Sequence, residues 1–141
     1  MSVFWWPARV YWEDTDGGGI VYYANYLRFL ERARTEWLRS LGYSQQTLAR
    51  EPGIVFTVVS LTVEYRRPAR LDDELAITCE AQADRAATIR FEQAIFRDRP
   101  GEGPPLLTAG VLVACVDAHT LKPRRLPESL MNMLISPSDT A

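Results

Sequence analysis

Two aspartates flank one threonine in "EDTDGGGIVYYANYLRFLERARTEWL", residues 13–38, and three glycines and two tyrosines separate them from a strongly periodic segment. Asp14 and Asp16 alternate with Thr15 at the end of an aromatic, β-branched run, so both side chains point the same way as the backbone turns. Gly17, Gly18 and Gly19 permit positive φ and close backbone approach. The free N–H groups and the positive dipole end of the next helix lie a few residues on, where they can polarise a carbonyl or hold an anion. A carboxylate facing a carbonyl pinned on such amides makes a hydrolytic site. The same residues also read as a helix cap beside a glycine turn, and spacing alone does not choose between the two.

Other chemistries fit less well. The glycine run lacks the G-x-G-x-x-G and P-loop spacings, and no Lys-Ser or Lys-Thr pair follows it. An EF-hand counted from Asp14 needs a bidentate glutamate where Asn25 stands. His119 is the sole histidine, so it would have to be the base of any Ser-His-Asp or Cys-His triad, and in "VDAHTLKP" it reads as a turn residue. Cys79 and Cys115 fall in apolar alternation with no C-x-x-C spacing, which predicts core residues and neither a disulfide framework nor a zinc site. No metal or cofactor is expected. The formal charge of −2, from 16 basic and 18 acidic residues without long blocks of one sign, gives nucleic-acid binding no global support. No apolar run reaches membrane-span length, and "MSVFWWPARV" has neither a basic n-region nor a cleavage site, so a cytoplasmic chain is expected.

The elements that must position Asp14 and Asp16 follow from periodicity. A chain of 141 residues, 47% hydrophobic, suits one domain spanning 1–141. Residues 4–12 read as a strand, with Pro7 pushing its first half toward an edge. Over residues 25–41, Tyr26, Phe29, Leu30, Ala33, Trp37, Leu38 and Leu41 recur at helical spacing, and Gly42 supplies the stop. Ser44 is a good N-cap for a short turn ending before Pro52. Four alternating runs follow at 54–67, 74–83, 88–97 and 106–116, joined by "PARLDD", "DRAA" and "DRPGEGPP". The prediction is an α+β fold, a five-stranded antiparallel sheet wrapped around one long central helix, with the last four strands in a meander. Such a sheet leaves edges unpaired, and pairing one with a second copy predicts at least a homodimer.

Three stretches, "VYWEDTDGGGIVYYANYLRFLERARTEWLRSLG", "LTVEYRRPARLDDELAI" and "VLVACVDAHTLKPRRLP", resemble the hotdog-fold acyl-CoA thioesterases, in the branch of the Tol-Pal-associated and 4-hydroxybenzoyl-CoA enzymes. The similarity runs from about Arg9 to Pro127. It implies that Asp16 is the catalytic carboxylate, acting on the thioester carbon as nucleophile or on a water as general base. It also implies that backbone amides near Tyr23 and Ala24, after the turn closed by Gly19, polarise the thioester oxygen. Many Tol-Pal-associated members carry Tyr-His where this chain has Tyr22 and Tyr23. Tyr23, neutral near pH 7, would therefore act through its amide, hydroxyl dipole or ring face and not as a base.

The resemblance further implies that the nucleotide end of CoA lies on the surface, often across subunits, on an Arg-x-x-Ser/Thr turn matched here by Arg85 and Thr88 in "DRAAT". A solvated hairpin arginine is the plainer reading. Arg66, Arg67 and Arg70 beside Asp72, Asp73 and Glu74 read as local ion pairs, with a second basic site as the alternative. Glu31, Arg32, Arg34 and Glu36 are spaced for ion pairs along the helix. Trp5, Trp6 and Trp12 read as core or interface residues, or as the lining of an aromatic acyl pocket.

The resulting expectation is a homodimer or homotetramer that hydrolyses a short-chain or aromatic acyl-CoA, with an acyl-carrier protein as a further partner. A non-catalytic adaptor that binds acyl-CoA or acyl-carrier protein is the rival from another class. A hotdog dehydratase is disfavoured because it needs a histidine beside its carboxylate.

Overall fold

The computed structural model describes residues 3–134. Strand β1 (Phe4–Arg9) leads through a 3-10 turn at Trp12–Asp14 and another at Tyr23–Asn25 into helix α1 (Tyr26–Ser40). A short helix α2 (Gln45–Arg50), strands β2 (Ile54–Tyr65), β3 (Glu74–Arg85), β4 (Thr88–Arg97) and β5 (Leu107–Asp117), and helix α3 (Glu128–Met133) complete the order. No helix among the described residues is long and apolar enough to cross a membrane.

α1 forms where the apolar spacing places it. Tyr26, Phe29, Leu30, Ala33 and Leu38 are buried along one stripe, while Arg28, Glu31, Arg32 and Arg39 remain exposed. The helix ends at Gly42, whose φ of +94° lets its amide and that of Tyr43 turn back onto Arg39 O and Leu38 O. Ser44 caps α2 by accepting the Thr47 amide at 3.1 Å.

The stripe of α1 packs on the inward face of one antiparallel sheet. Leu75, Ile77 and Cys79 of β3, Ile89, Phe91 and Ile95 of β4, and Leu107, Val111, Val113 and Cys115 of β5 join it in one core. Each fully buried large aliphatic or aromatic side chain there contributes about 1.5–3 kcal/mol relative to exposure.

The strand order is β1-β3-β4-β5-β2. β3, β4 and β5 form the expected meander, but β2 does not lie beside β3. It pairs with β5, from Ile54↔Asp117 to Tyr65↔Leu107, at the far edge of the sheet. Residues 66–73 are therefore a strap that crosses the sheet end, not a hairpin turn. Three further differences from expectation stand out. β1 stops at Arg9, because the chain enters the 3-10 turn before Trp12 can extend it. α3 was not anticipated. Trp5, Trp6 and Trp12 are not core residues within the protomer, since they are 41%, 40% and 67% exposed.

Candidate active site at the glycine turn

Residues 14–22 fold back on themselves. The Asp16 amide donates to Ile20 O at 3.0 Å and the Tyr22 amide to Asp14 O at 3.0 Å, with Thr15 and Val21 bridged between them. Gly17 and Gly19, at φ of +89° and +87°, make the bend that side chains would strain. The strap backs this turn: Val21 donates to Ala69 O at 2.9 Å, Leu71 donates to Gly19 O at 2.9 Å, and the buried Tyr26 hydroxyl accepts the Ala69 amide at 2.9 Å.

The two aspartates separate within this frame, although their alternation predicts side chains on one side. The 3-10 turn sets the Asp14 carboxylate on the Tyr11 amide at 2.8 Å, and Asn25 Nδ2 donates to the Asp14 carbonyl at 2.9 Å. Asp14 is thus a brace between the turn and the helix. Asp16 Oδ1 accepts the Gly18 amide at 2.8 Å, and among the described residues its other oxygen takes no protein hydrogen bond. Neither carboxylate caps α1, which has no side-chain cap. Asp16 is exposed, so its carboxylate is held at one oxygen and open at the other.

Across the turn, Tyr23 and Ala24 open the segment that becomes α1. Among the described residues neither of their amides donates to a backbone carbonyl, as the first amides of a helix leave them. Tyr22, Tyr23, Tyr26 and Tyr65 form a cluster of four rings here. The rings of Tyr22 and Tyr23 lie 4.9 Å apart, and Tyr65 stands edge-on to Tyr23 at 6.3 Å and to Tyr26 at 5.6 Å. The Tyr65 hydroxyl donates to Tyr23 O at 3.0 Å. Burial raises the phenol pKa values of Tyr26 and Tyr65, which keeps both protonated. On the β1 side an open cleft of about 390 Å³, lined by Trp6, Arg9, Tyr11, Asp14, Arg28 and Phe29, borders the same turn.

Asp16 and Gly19 lie within the 14–22 turn, Tyr23 and Ala24 follow it directly in the chain, and Arg85 and Thr88 lie elsewhere. Those two face each other across the β3–β4 hairpin, where Thr88 donates to Asp84 Oδ2 at 3.2 Å and Arg85 is exposed. The hairpin lies at the opposite end of the 12-residue β3 from Glu74, the partner of Arg9, so roughly 36 Å of strand separates it from the glycine-turn end.

The remaining residues are structural or surface groups. His119 sits exposed in a turn whose amides converge on Asp117 Oδ1. Cys79 and Cys115 are buried free thiols, and burial pushes Cys79 up to about 12. Asp73 and Glu74 pair with Arg97 at 3.1 Å and Arg9 at 2.5 Å, and Arg66 with Glu64 at 3.2 Å, which replaces the expected pairing within 66–74. On α1, Glu36 pairs with Arg39 at 2.6 Å, Glu31 accepts from Thr35 at 2.5 Å, and Arg34 turns inward to Gln93 at 3.0 Å. Sequence reasoning missed Tyr65 and Asn25 as parts of the site. Asn25, at the helix start, carried the only local signal.

Comparison with known proteins identifies the family of this fold. The thioesterase-like superfamily matches residues 10–134. An acyl-CoA thioester hydrolase of Escherichia coli O6:H1 is 49% identical over 130 residues, 92% of this chain and 94% of that protein. An acyl-CoA thioesterase of Haemophilus influenzae is 46% identical over 127 residues, 90% of each. The crystal structure of a probable thioesterase from Bartonella henselae superposes with a TM-score of 0.82 at 38% identity, over 89% of this chain and 100% of that one. With sheet order, central helix and glycine turn all in place, the chain belongs to the thioesterase-like superfamily, among its hotdog-fold acyl-CoA thioester hydrolases.

Proposed function

We propose that this chain hydrolyses a short-chain or aromatic acyl-CoA to the free acid and CoA, with Asp16 as the reacting carboxylate. One observation carries the reading: Asp16 is tethered at a single oxygen beside a helix mouth whose Tyr23 and Ala24 amides have no backbone acceptor. The thioester oxygen sits on those amides, which stabilise the negative charge that develops there as the carbon is attacked. In one route Asp16 bonds to the acyl carbon, the C–S bond breaks, the thiolate takes a proton, and water hydrolyses the resulting anhydride. In the other, Asp16 takes a proton from water as the water oxygen bonds to the acyl carbon, the C–S bond breaks, and the leaving thiolate takes that proton. Tyr22, Tyr23 and Tyr65 offer exposed ring surface to the acyl group.

A second copy completes the site in this proposal. β2 is the outer strand beside β5, and Val58, Val59 and Leu61 are exposed along it, an edge suited to pairing with another β2 as homodimer or homotetramer. Arg85 and Thr88 then hold the CoA phosphates for a thioester bound at the partner's turn. Mixing Asp16→Asn chains with Arg85→Ala chains restores turnover if the site is shared. Mixtures no better than either variant alone remove the shared-site arrangement. The reaction is proposed for the cytoplasm, where CoA thioesters are made.

The decisive assay is thiol release over acyl-CoAs from acetyl to palmitoyl, with benzoyl, hydroxybenzoyl and phenylacetyl included, on wild type and Asp16→Asn. Asp16-dependent release names the acyl class. Binding without release from any thioester makes the protein an acyl-CoA adaptor.

A further inference from the structure

The Tyr65 hydroxyl reaches the Tyr23 carbonyl oxygen from 42 positions away in the chain. That carbonyl and the Ala24 amide are two ends of one peptide group. Because the group is planar and trans, C=O and N–H point in opposite directions, and fixing the oxygen on one side fixes the direction of the hydrogen on the other. A donor on the oxygen also draws electron density from the peptide nitrogen. Cooperativity of this kind strengthens the opposite hydrogen bond by on the order of 10–30%.

We propose that Tyr65 is a positioning residue, clamping the Tyr23–Ala24 peptide so that the Ala24 amide is aimed at, and polarised toward, the thioester oxygen. The inference rests on the reading of Asp16 and the helix mouth given above and extends it to a residue on another element.

The surroundings suit a clamp. Tyr65 is the last residue of β2 and is held in register opposite Leu107, so its ring starts from a fixed backbone. Its ring is braced edge-on against Tyr26, whose own hydroxyl is tied to the strap through the Ala69 amide. The end of the 3-10 turn is held separately, by Asn25 N donating to Tyr22 O at 2.8 Å and Asn25 Nδ2 donating to Asp14 O. Tyr65 thus holds the beginning of a turn whose end is already fixed. At 48% exposure, the Tyr65 hydroxyl contributes little to folding, because water can replace either partner. A bond of little value to stability, placed on the peptide that carries a catalytic donor, has its use in orientation.

Tyr65→Phe removes the hydroxyl and keeps the ring. With the fastest thioester of the panel, kcat should fall about three- to tenfold, part of the 10²–10³-fold lost when a whole donor of this kind is removed. KM and the urea midpoint should stay at wild-type values. An unchanged kcat in Tyr65→Phe, or a raised KM with kcat intact, overturns the clamp. A second readout is independent of turnover: the infrared stretch of a ¹³C-labelled thioester carbonyl bound to Asp16→Asn should move to higher frequency when Tyr65→Phe is added. A stretch that does not move also overturns it. Full turnover in Asp16→Asn would instead bring down the underlying site reading. Inactive Asp16→Asn with fully active Tyr65→Phe brings down the clamp alone.

Discussion

Midway along α1, Arg34 donates to Gln93 Oε1 at 3.0 Å, and Gln93 Nε2 donates to Leu30 O and Thr78 O at 3.1 and 3.3 Å. Thr78 in turn accepts the Ala94 amide at 2.9 Å. At the start of the same helix, Asp16, Tyr22 and Tyr23 stand open to solvent, with one carboxylate oxygen and two amides unmatched by backbone or side chain. The first region is buried, Gln93 being 4% exposed, and no buried side-chain N or O among the described residues lacks a partner. Burial forces that completeness, because an unmatched polar group away from water costs about 1–3 kcal/mol. At the helix mouth water can satisfy the same kinds of group, so they remain available to a substrate. Matched polar groups fix the helix to the sheet, and unmatched ones stay accessible from solvent.

Substitutions should separate the two regions cleanly. The largest effect belongs to Asp16→Asn, which should lower kcat by about 10²–10⁴-fold while the urea midpoint stays put. A matching fall in stability would show that Asp16 is structural and erase the contrast. Gln93→Leu should do the reverse. It removes the second donor on Leu30 O and the Gln93 donor on Thr78 O, takes the Arg34 guanidinium's acceptor away, and should lower the unfolding free energy by about 1–3 kcal/mol, with turnover per folded molecule preserved.

Why the helix mouth was legible in the sequence and the Gln93 network was not follows from the range of the interactions. Three- and four-residue spacing marked α1, strict alternation marked β3, β4 and β5, and the aspartates and glycines are contiguous, so local rules reached all of them. Gln93 meets Leu30 across 63 positions and Tyr65 meets Tyr23 across 42, distances over which a single sequence carries no pairing signal. Alternation tells which face a residue takes but not which strand lies alongside, which is why 66–73 read as a turn between neighbours. β2 and β3 are three strand spacings apart, about 14 Å, and a segment of that length can reach roughly 26 Å, so both arrangements satisfy the chain. Period-two spacing likewise treated Asp14 and Asp16 as equivalent, and only the 3-10 turn at Trp12–Asp14 tells them apart.

Two smaller effects sharpen the contrast. A Cβ at Gly18 would stand 3.1 Å from Asp16 Oδ1, so Gly18→Ala must push the carboxylate by a few tenths of an ångström. A roughly tenfold loss of kcat with unchanged stability is expected from steady-state kinetics. Beneath Arg34, Cys79 keeps its proton in the folded state up to about pH 12 because it is buried, whereas the unfolded chain begins to lose it near pH 8.5. Its contribution to stability is therefore full below about pH 8.5 and declines as pH rises toward 12. Urea titrations from pH 8 to 11 should show a shallower decline for Cys79→Ala than for wild type.

The placement of β2 also sets when the sheet can first be completed. β2 pairs with β5 alone, and Ile54 must wait for Asp117 and Tyr65 for Leu107. During synthesis, Asp16, the glycine turn, α1, β2 and the strap all leave the ribosome before the strand that pairs with β2, and non-local pairing of this kind forms late. Tyr65 cannot be held in register opposite Leu107 until β5 has emerged. A nascent chain carrying every residue of the helix mouth thus lacks the β2–β5 pairing until nearly all of the described residues have been translated.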